Sequence, residues 1–279
     1  MNIGFIDFFI DEWHANNYPG MIDEYNKAHG TDHKVAYAWA ETEPAGHLST
    51  TEWCEKFGAK KCETIEEVCE KADHVIVLAP SDPDKHLGYA EKVFATGTSP
   101  YIDKTFAPDC PTAKRIFDLA DKHNVKFFSS SALRYADELA GFNGDARAIS
   151  LTGGGSNIAE YIIHQIEMAV KCLGIGAENV VCESIADEVC ARVCCKDGKR
   201  ASFLYAPDMP FTAIVADRDG NSSYRAINSQ FFVNLIADII RFFETGETSF
   251  ATEETLEVMR IRDAVLAAKD HPGETVRIS

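Results

Sequence analysis

The chain has 279 residues, a formal net charge of −17, 46% hydrophobic residues and 25% charged residues. Its length suits one large domain or two smaller ones with an ample core, and its composition is typical of a soluble globular protein. The negative charge argues against nucleic acids and anionic membrane surfaces as partners, because both would repel it. No apolar run in the sequence is long enough to span a bilayer.

The nine cysteines are scattered along the sequence, without a C-x-x-C pair. Cys190, Cys194 and Cys195 lie closest together, and their spacing fits positions along a strand better than a zinc site. We therefore expect reduced thiols, no bound metal and a cytoplasmic location. The segment after Met1 has the pattern of a strand, so we expect no signal peptide.

The first half of the chain alternates strand and helix signals. The continuous apolar run at His74–Ala79 is typical of a buried parallel strand. The predicted strands are Asn2–Asp7, Lys34–Ala40, His74–Ala79, Pro100–Asp103 and Val125–Ser129. The predicted helices start at Pro19 and Thr64 or cover Ser49–Phe57, Pro83–Thr96 and Pro111–His123. This alternation predicts an α/β fold with a doubly wound parallel sheet over residues 1–125.

The second half has a different pattern. A long predicted helix, Ile158–Leu173, precedes a series of strand-like segments, with Asp197-Gly198 and Asp219-Gly220 as hairpin-turn signals. The predicted strands are Val180–Ala186, Glu188–Cys195, Ala201–Tyr205, Phe211–Ala216 and the weaker Tyr224–Ile227. Two helices, Phe231–Thr245 and Thr252–Ala268, end the chain. We expect an α+β domain over residues 126–279 with an open, mainly antiparallel sheet, and helices that can pack back on the first domain.

A single lysine, Lys104, directly follows the predicted strand Pro100–Asp103. Ligands of open parallel sheets bind beyond the carboxyl ends of the strands. A lysine at that position can hydrogen-bond a substrate hydroxyl or, with a lowered pKa, accept its proton. The alternative is a solvated loop lysine, which the surface preference of lysine favours when Lys104 is considered alone.

Glu160, His164 and Glu167 recur at positions i, i+4 and i+7 of a predicted helix, so they share one helix face. The glycines at 153–155 precede this helix and would let a ligand approach the backbone closely. A neutral histidine beside a carboxylate can serve as general acid or base near neutral pH. The alternative is an ordinary surface pair of Glu160 and His164, and it is the better interpretation for that pair alone.

Several motifs together resemble those of the Gfo/Idh/MocA oxidoreductases, which are NAD(P)-dependent dehydrogenases of sugars, inositols and related polyols. The resemblance covers nearly the whole chain. It rests on Ala79–His86, Asp103–Thr105, Ser129–Tyr135, Glu160–Glu167, Thr252–Glu254 and Arg262–Ala264. It implies a Rossmann-like domain followed by a substrate-binding and oligomerisation domain, and hydride transfer between a sugar- or polyol-like secondary alcohol and NAD or NADP.

The resemblance also implies the roles of individual residues. His164 would take the hydroxyl proton, Lys104 would orient the same oxygen, and Glu160 would hold the substrate or tune His164. Lys104 ends a strand of the first domain and His164 lies on the helix that opens the second, so we expect them to converge on one cleft between the domains. Arg134 is a further expected substrate contact, and so is His14, because its segment, Asp11–Tyr18, is rich in functional residue types. The positions implied for cofactor binding are Asp7, Phe8, Phe9, Trp39, Glu41, Ala79, Pro80, His86 and Asp103.

The first strand lacks the glycines that a dinucleotide-binding turn needs. Asp7 and Phe9 stand at glycine positions, and Asp11 and Glu12 add negative charge where a phosphate would lie. We therefore expect a turn that extends to Pro19, differs from the glycine turn and binds NAD(P) more weakly than a glycine-bearing relative would. At the end of the second strand, Trp39 replaces the usual ribose-binding acid, with Glu41 two places further on.

Two interpretations stay open. Either the altered turn binds NAD(P), or the chain has lost the cofactor and acts as a ligand-binding or regulatory protein. The segment Asp11–Tyr18 is either a substrate or partner site built on Trp13, His14, Asn16 and Asn17, or a packed loop in which Asn17 caps the next helix. For the assembly, we expect a homodimer or homotetramer through an uncovered, apolar face of the second sheet.

Overall fold

A computed structural model describes residues 1–279, and the chain divides into two compact units. Unit 1 comprises Met1–Ser130 and Phe232–Phe250, and unit 2 comprises Ser131–Phe231 and Ala251–Ser279. The division falls at Ser130, five residues beyond the expected boundary at 125, because Phe128 still pairs with the unit 1 sheet. Phe128 forms a single parallel bridge with Tyr101 there, so the predicted strand Val125–Ser129 is reduced to one bridge.

Unit 1 is built on a parallel sheet with the strand order β3-β2-β1-β4-β5. Its strands are β1 (Asn2–Asp7), β2 (Lys34–Ala40), β3 (Lys60–Lys61), β4 (His74–Val77) and β5 (Tyr101–Ile102). The central strands β1 and β4 are buried along almost their whole length, as strands covered on both faces are. The strand order reverses between β1 and β4, and ligands of such sheets bind in the crevice beyond these strand ends.

Six helices belong to unit 1 and lie in the chain between or after these strands. They are α1 (Trp13–His29), α2 (Thr50–Phe57), α3 (Ile65–Lys71), α4 (His86–Ala95), α5 (Cys110–His123) and α7 (Phe231–Thr245). Polar side chains cap four of the six: Glu12, Ser49, Thr64 and Asp109 accept first-turn amide hydrogens in α1, α2, α3 and α5. The parallel α/β architecture predicted for the first half is confirmed.

Helix α1 begins at Trp13, six residues before the predicted start at Pro19. The carboxylate of Glu12 caps the helix, and Pro19 lies inside it. The predicted extension of the turn to Pro19 is therefore wrong. Asn17 is not the helix cap either, because its Nδ2 donates to the carbonyl oxygen of Trp13 at 2.6 Å within the helix.

Unit 2 contains a seven-stranded sheet with the order β11-β10-β6-β9-β8-β7-β12. Its strands are β6 (Ala148–Gly153), β7 (Ala177–Ile185), β8 (Glu188–Cys195), β9 (Arg200–Tyr205), β10 (Thr212–Ala216), β11 (Ser222–Ala226) and β12 (Thr275–Arg277). Only the pair β6–β9 is parallel, so the predicted open, mainly antiparallel sheet is confirmed. Strands β6 and β12 were missed, because β6 lies in a glycine-rich region and β12 has only three residues.

Helices α6 (Ile158–Leu173) and α8 (Glu253–Lys269) pack on the unit 2 sheet. Burial alternates along β8, where Val189, Ala191 and Val193 are buried and the residues between them are exposed. The exposed side chains of this sheet include Cys190 and Arg192 on β8 and the apolar Ile214 and Tyr224 on β10 and β11. The expectation of an apolar uncovered face is thus wrong, because polar and apolar side chains mix there. Pairing of subunits through this face stays a prediction.

None of the helices combines the length and apolar character that a bilayer crossing requires.

Candidate functional site

Asp7 ends β1 at the point where the strand order of the unit 1 sheet reverses. Its Oδ1 accepts the backbone N–H of Phe8 at 2.7 Å and that of Ala79, after β4, at 3.0 Å. Its Oδ2 is buried without a protein hydrogen-bond partner. Burial, followed by the nearby charge of Glu12, raises the pKa of Asp7 well above its ordinary value. Asp7 therefore ties two strand ends together, and its surroundings favour the protonated carboxyl group.

The N-terminus of α1 is closed by the carboxylate of Glu12. Oε1 of Glu12 accepts the backbone N–H of Ala15 at 2.5 Å, and Oε2 accepts that of His14 at 2.8 Å. The same Oε2 lies 3.1 Å from Nδ1 of His14, while Nε2 of His14 lies 3.6 Å from Oδ2 of Asp103. The imidazole of His14 therefore lies between two nearly buried carboxylates, one before α1 and one just after β5.

Aromatic rings enclose His14. The ring centroids of Trp13, Tyr18 and Phe232 lie 5.1, 5.5 and 6.0 Å from that of His14, which is 8% exposed. The hydroxyl of Tyr18 is buried without a protein hydrogen-bond partner, and burial, followed by the charges of Asp103 and Glu12, raises its pKa. The structure places His14 in this packed cluster, and its predicted contact with substrate stays a prediction.

Lys104 lies beyond the end of β5, where the sequence placed it. It is 8% exposed, and its Nζ lies 3.5 Å from the carbonyl oxygen of Pro80. The preceding residue, Asp103, donates its backbone N–H to Val77 at 2.8 Å and accepts the Tyr101 hydroxyl at 3.1 Å. The alternative of a solvated loop lysine is therefore wrong, since Lys104 is nearly buried at the carboxyl edge of the sheet.

Glu41 follows β2, near the place where dinucleotide-binding folds carry a ribose-binding acid. Its carboxylate accepts hydrogen bonds from Lys85 Nζ at 2.5 Å and from the Tyr89 hydroxyl at 2.6 Å. These two bonds lower the pKa of Glu41. Trp39 packs against Tyr89, with ring centroids 5.7 Å apart. A ribose hydroxyl would therefore compete with Lys85 and Tyr89 for this carboxylate.

The other residues implied for cofactor binding lie around the same strand ends. Lys85 Nζ lies 4.6 Å from the ring centroid of Phe8, and the ring of Phe9 lies 5.1 Å from that of His47. The ring nitrogens of His86 lie 3.0 Å and 2.5 Å from the carbonyl oxygens of Phe106 and Leu78. Burial lowers the pKa of His86, which has no exposed surface. A direct cofactor contact of its side chain stays a prediction.

The turn between β1 and α1 does not fit a pyrophosphate in the arrangement that the structure shows. In dinucleotide-binding folds, glycines let the pyrophosphate reach the free amides of the following helix. Here, Glu12 already binds two of those amides, and Asp7 and Asp103 lie nearby. No residue from Phe8 to Glu12 has the left-handed conformation that such a glycine turn would use. The turn thus differs from a glycine turn, as predicted.

Unit 2 carries the histidine that the sequence singled out. Asn157 caps α6 by accepting the backbone N–H of Glu160 at 2.9 Å, and its Nδ2 donates to the Glu160 carboxylate at 3.3 Å. One turn further along, Nδ1 of the half-buried His164 lies 2.6 Å from the hydroxyl oxygen of Ser131. The rings of Tyr161 and Phe211 lie edge-on to the imidazole. Because Ser131 holds Nδ1, acid–base chemistry would use Nε2 of His164.

A buried ion-pair network lies beneath Ser131. Glu167 accepts the backbone N–H of Ser131 at 3.3 Å and pairs with Arg134 at 3.3 Å, and Arg134 also pairs with Glu254 on α8. Burial raises the pKa of Glu167, although the positive charge of Arg134 acts to lower it. Burial opposes the charge of Arg134, but its two carboxylate partners outweigh this and raise its pKa. Two carboxylates thus bind the guanidinium of Arg134, and its predicted contact with substrate stays a prediction.

The structure thus brings together part of the predicted site in each unit. In unit 2, it joins His164, Glu167 and Arg134 through Ser131, which the sequence did not single out among three consecutive serines. In unit 1, it adds Glu12 as the residue that binds the α1 amides. The convergence of Lys104 and His164 on one cleft stays a prediction.

No protein-family model matches the chain, and no curated protein matches its sequence. Solved structures match it along nearly its whole length. Scyllo-inositol dehydrogenase from Lactobacillus casei, with bound NAD(H) and scyllo-inositol, matches with a TM-score of 0.77 and 13% identity, covering 100% of this chain and 99% of that one. An NAD-binding oxidoreductase from Klebsiella pneumoniae matches with a TM-score of 0.76, 13% identity and the same coverage.

Biliverdin reductase from Synechocystis, in complex with biliverdin and NADP+, matches with a TM-score of 0.70 and 11% identity, covering 96% of this chain and 99% of that one. At such low identities, the likeness establishes the fold. The chain has the fold of these dehydrogenases and reductases, and the fold expected from the Gfo/Idh/MocA resemblance is confirmed.

Proposed function

We propose that the protein is an oxidoreductase that acts on a secondary alcohol of the sugar or polyol type, with NAD or NADP as the hydride acceptor. The observation that carries this proposal is the half-buried His164, held through Nδ1 by Ser131, in a chain that shares its fold with NAD(H)-bound scyllo-inositol dehydrogenase. The motifs that resemble Gfo/Idh/MocA oxidoreductases support the same reaction class.

In the proposed reaction, the chain's own residues handle the proton and the substrate oxygen. Nε2 of His164 accepts the hydroxyl proton in the tautomer in which Nδ1–H donates to the hydroxyl oxygen of Ser131. Lys104 supplies a positive charge and hydrogen bonds to the same oxygen. Glu160, at the start of α6, binds a neighbouring substrate hydroxyl. NAD(P), when bound, supplies the hydride acceptor.

The second candidate function is a cofactor-free protein that binds a sugar-like ligand or a protein partner. A specific observation favours it: Glu12 occupies the helix amides that would otherwise receive a pyrophosphate. On this interpretation, His14, Lys104 and His164 would contact the ligand or partner. The two candidates differ in whether any nicotinamide dinucleotide binds.

A binding experiment separates the two candidates. The Tm of the protein is measured in the presence of NAD, NADP or their reduced forms, and binding of each is then measured by calorimetry. A dinucleotide present at 100 times its Kd stabilises the folded protein by about 2.7 kcal/mol, which raises the Tm visibly. If calorimetry with millimolar dinucleotide detects no binding, the dehydrogenase proposal fails and the cofactor-free candidate replaces it.

We further propose a cytoplasmic protein that forms a homodimer or homotetramer through the uncovered face of the unit 2 sheet. All nine cysteines are free thiols, which is typical of reducing compartments. The exposed side chains of Ile214 and Tyr224 supply apolar surface on that sheet. A monomer in sedimentation at micromolar concentration would contradict the proposed assembly.

A further inference from the structure

The amides at the N-terminus of α1 already carry a bound anion, which is the chain's own carboxylate. Both oxygens of Glu12 accept a first-turn N–H, from His14 at 2.8 Å and from Ala15 at 2.5 Å. One of them also lies 3.1 Å from Nδ1 of His14. The Glu12 side chain is 8% exposed, so it is packed into this position. The carboxylate therefore makes the contacts that phosphate oxygens make at helix N-termini.

The surroundings of Glu12 reinforce this conclusion. Asp7 has a buried Oδ2 without a protein partner, and the charge of Glu12 helps to raise the pKa of Asp7. Asp103 has a buried Oδ2 that faces the imidazole of His14 at 3.6 Å. A pyrophosphate brought to the same amides would add negative charge beside the carboxylates of Glu12 and Asp103. Such a ligand is repelled as long as Glu12 stays in place.

We propose that the Glu12 carboxylate competes with phosphate groups for the backbone amides of His14 and Ala15 at the N-terminus of α1. A dinucleotide pyrophosphate then binds these amides only when the Glu12 carboxylate leaves them. This inference rests on the proposed function for the identity of the ligand, and it adds to that function a built-in restraint on cofactor binding. The class of ligand that would bind these amides is a pyrophosphate or its diester.

Two variants test the restraint, and both keep a good helix cap. Glu12→Ser removes the charge and leaves a hydroxyl that can accept a first-turn amide, whereas Glu12→Asp keeps both the cap and the charge. Calorimetry measures the affinity of the full chain and of each variant for NAD, NADP and inorganic pyrophosphate. Circular dichroism and thermal melting establish that each variant is folded. A shift in affinity of Glu12→Ser relative to Glu12→Asp then reports the charge and not the cap.

We expect Glu12→Ser to bind pyrophosphate and the dinucleotide at least about tenfold more tightly than Glu12→Asp, which should resemble the unchanged protein. That factor corresponds to the loss of one hydrogen bond to a charged group. Equal affinities of Glu12→Ser and Glu12→Asp for both ligands would overturn the inference.

The two proposals fail in different ways. If dinucleotides bind the unchanged protein and Glu12→Ser equally well, the restraint is wrong and the oxidoreductase proposal is supported. If no dinucleotide binds any of the three proteins but pyrophosphate binds Glu12→Ser more tightly, the restraint is supported and the oxidoreductase proposal is wrong.

Discussion

The hydroxyl oxygen of Ser131 lies 2.6 Å from Nδ1 of His164, and this contact determines which ring nitrogen of the histidine is held by the protein. Ser131 in turn is fixed through its backbone N–H, which donates to the buried Glu167 at 3.3 Å. The orientation of the imidazole thus depends on a chain of contacts that reaches from α6 to the ion pairs of Arg134 with Glu167 and Glu254.

Replacing Ser131 with alanine removes the hydrogen bond to Nδ1 of His164. We expect a change in the tautomer balance and titration of His164, measured by NMR of its ring nitrogens, and a fall in turnover of about tenfold. Ser131→Thr keeps the hydroxyl and should keep the titration close to that of the unchanged protein. An identical His164 titration in Ser131→Ala would show that Ser131 does not position the imidazole.

Replacing Lys104 with alanine removes the positive charge at the carboxyl end of β5. We expect turnover of a sugar- or polyol-like alcohol to fall by about 100-fold or more, because no other group is proposed to orient the hydroxyl oxygen. The control is Lys126→Ala, which removes an exposed lysine of the same unit that pairs with Glu247 at 3.0 Å. Turnover of Lys104→Ala within a factor of two of the control would refute the proposed role.

Replacing Arg134 with methionine leaves the carboxylates of Glu167 and Glu254 buried without their cation. We expect the free energy of unfolding to fall by about 3 kcal/mol or more, because a broken buried ion pair leaves an uncompensated charge. The measurement is urea denaturation followed by circular dichroism. Arg218→Met removes an exposed pair with Asp145 at 3.8 Å and should change stability little. Similar losses in both variants would contradict the role of the buried network.

Replacing Asp7 with asparagine tests the pH dependence of stability. The folded protein raises the pKa of Asp7 well above 3.8, so the folded state holds this proton more tightly than the unfolded chain does. The contribution of Asp7 to stability is therefore full below pH 3.8 and is lost as the pH rises through the raised folded value. Asp7→Asn cannot lose a proton and keeps an acceptor for the amides of Phe8 and Ala79.

We thus expect Asp7→Asn to gain stability relative to the unchanged protein as the pH rises from 3.8 through the raised pKa. Denaturant melts at a series of pH values measure the difference between the two proteins. A difference that stays constant across this range would show that the pKa of Asp7 is not raised by folding.

Much of the fold could be predicted from the sequence, because local periodicity carries it. The bounds of α6, Ile158–Leu173, were predicted correctly, since its apolar residues recur at helical spacing. Strand β8, Glu188–Cys195, was also predicted correctly, because buried and exposed residues alternate along it. Likewise, the position of Lys104 after a strand required only the order of elements along the chain.

The tertiary structure decided what local patterns do not encode. The start of α1 at Trp13 depends on the carboxylate of Glu12 and on a proline tolerated inside the helix. The choice of Ser131 as the partner of His164 depends on residues 33 positions apart, and the three neighbouring serines look alike in the sequence. Periodicity reports which face of an element is buried, whereas hydrogen-bond partners between distant segments are set only when the chain packs.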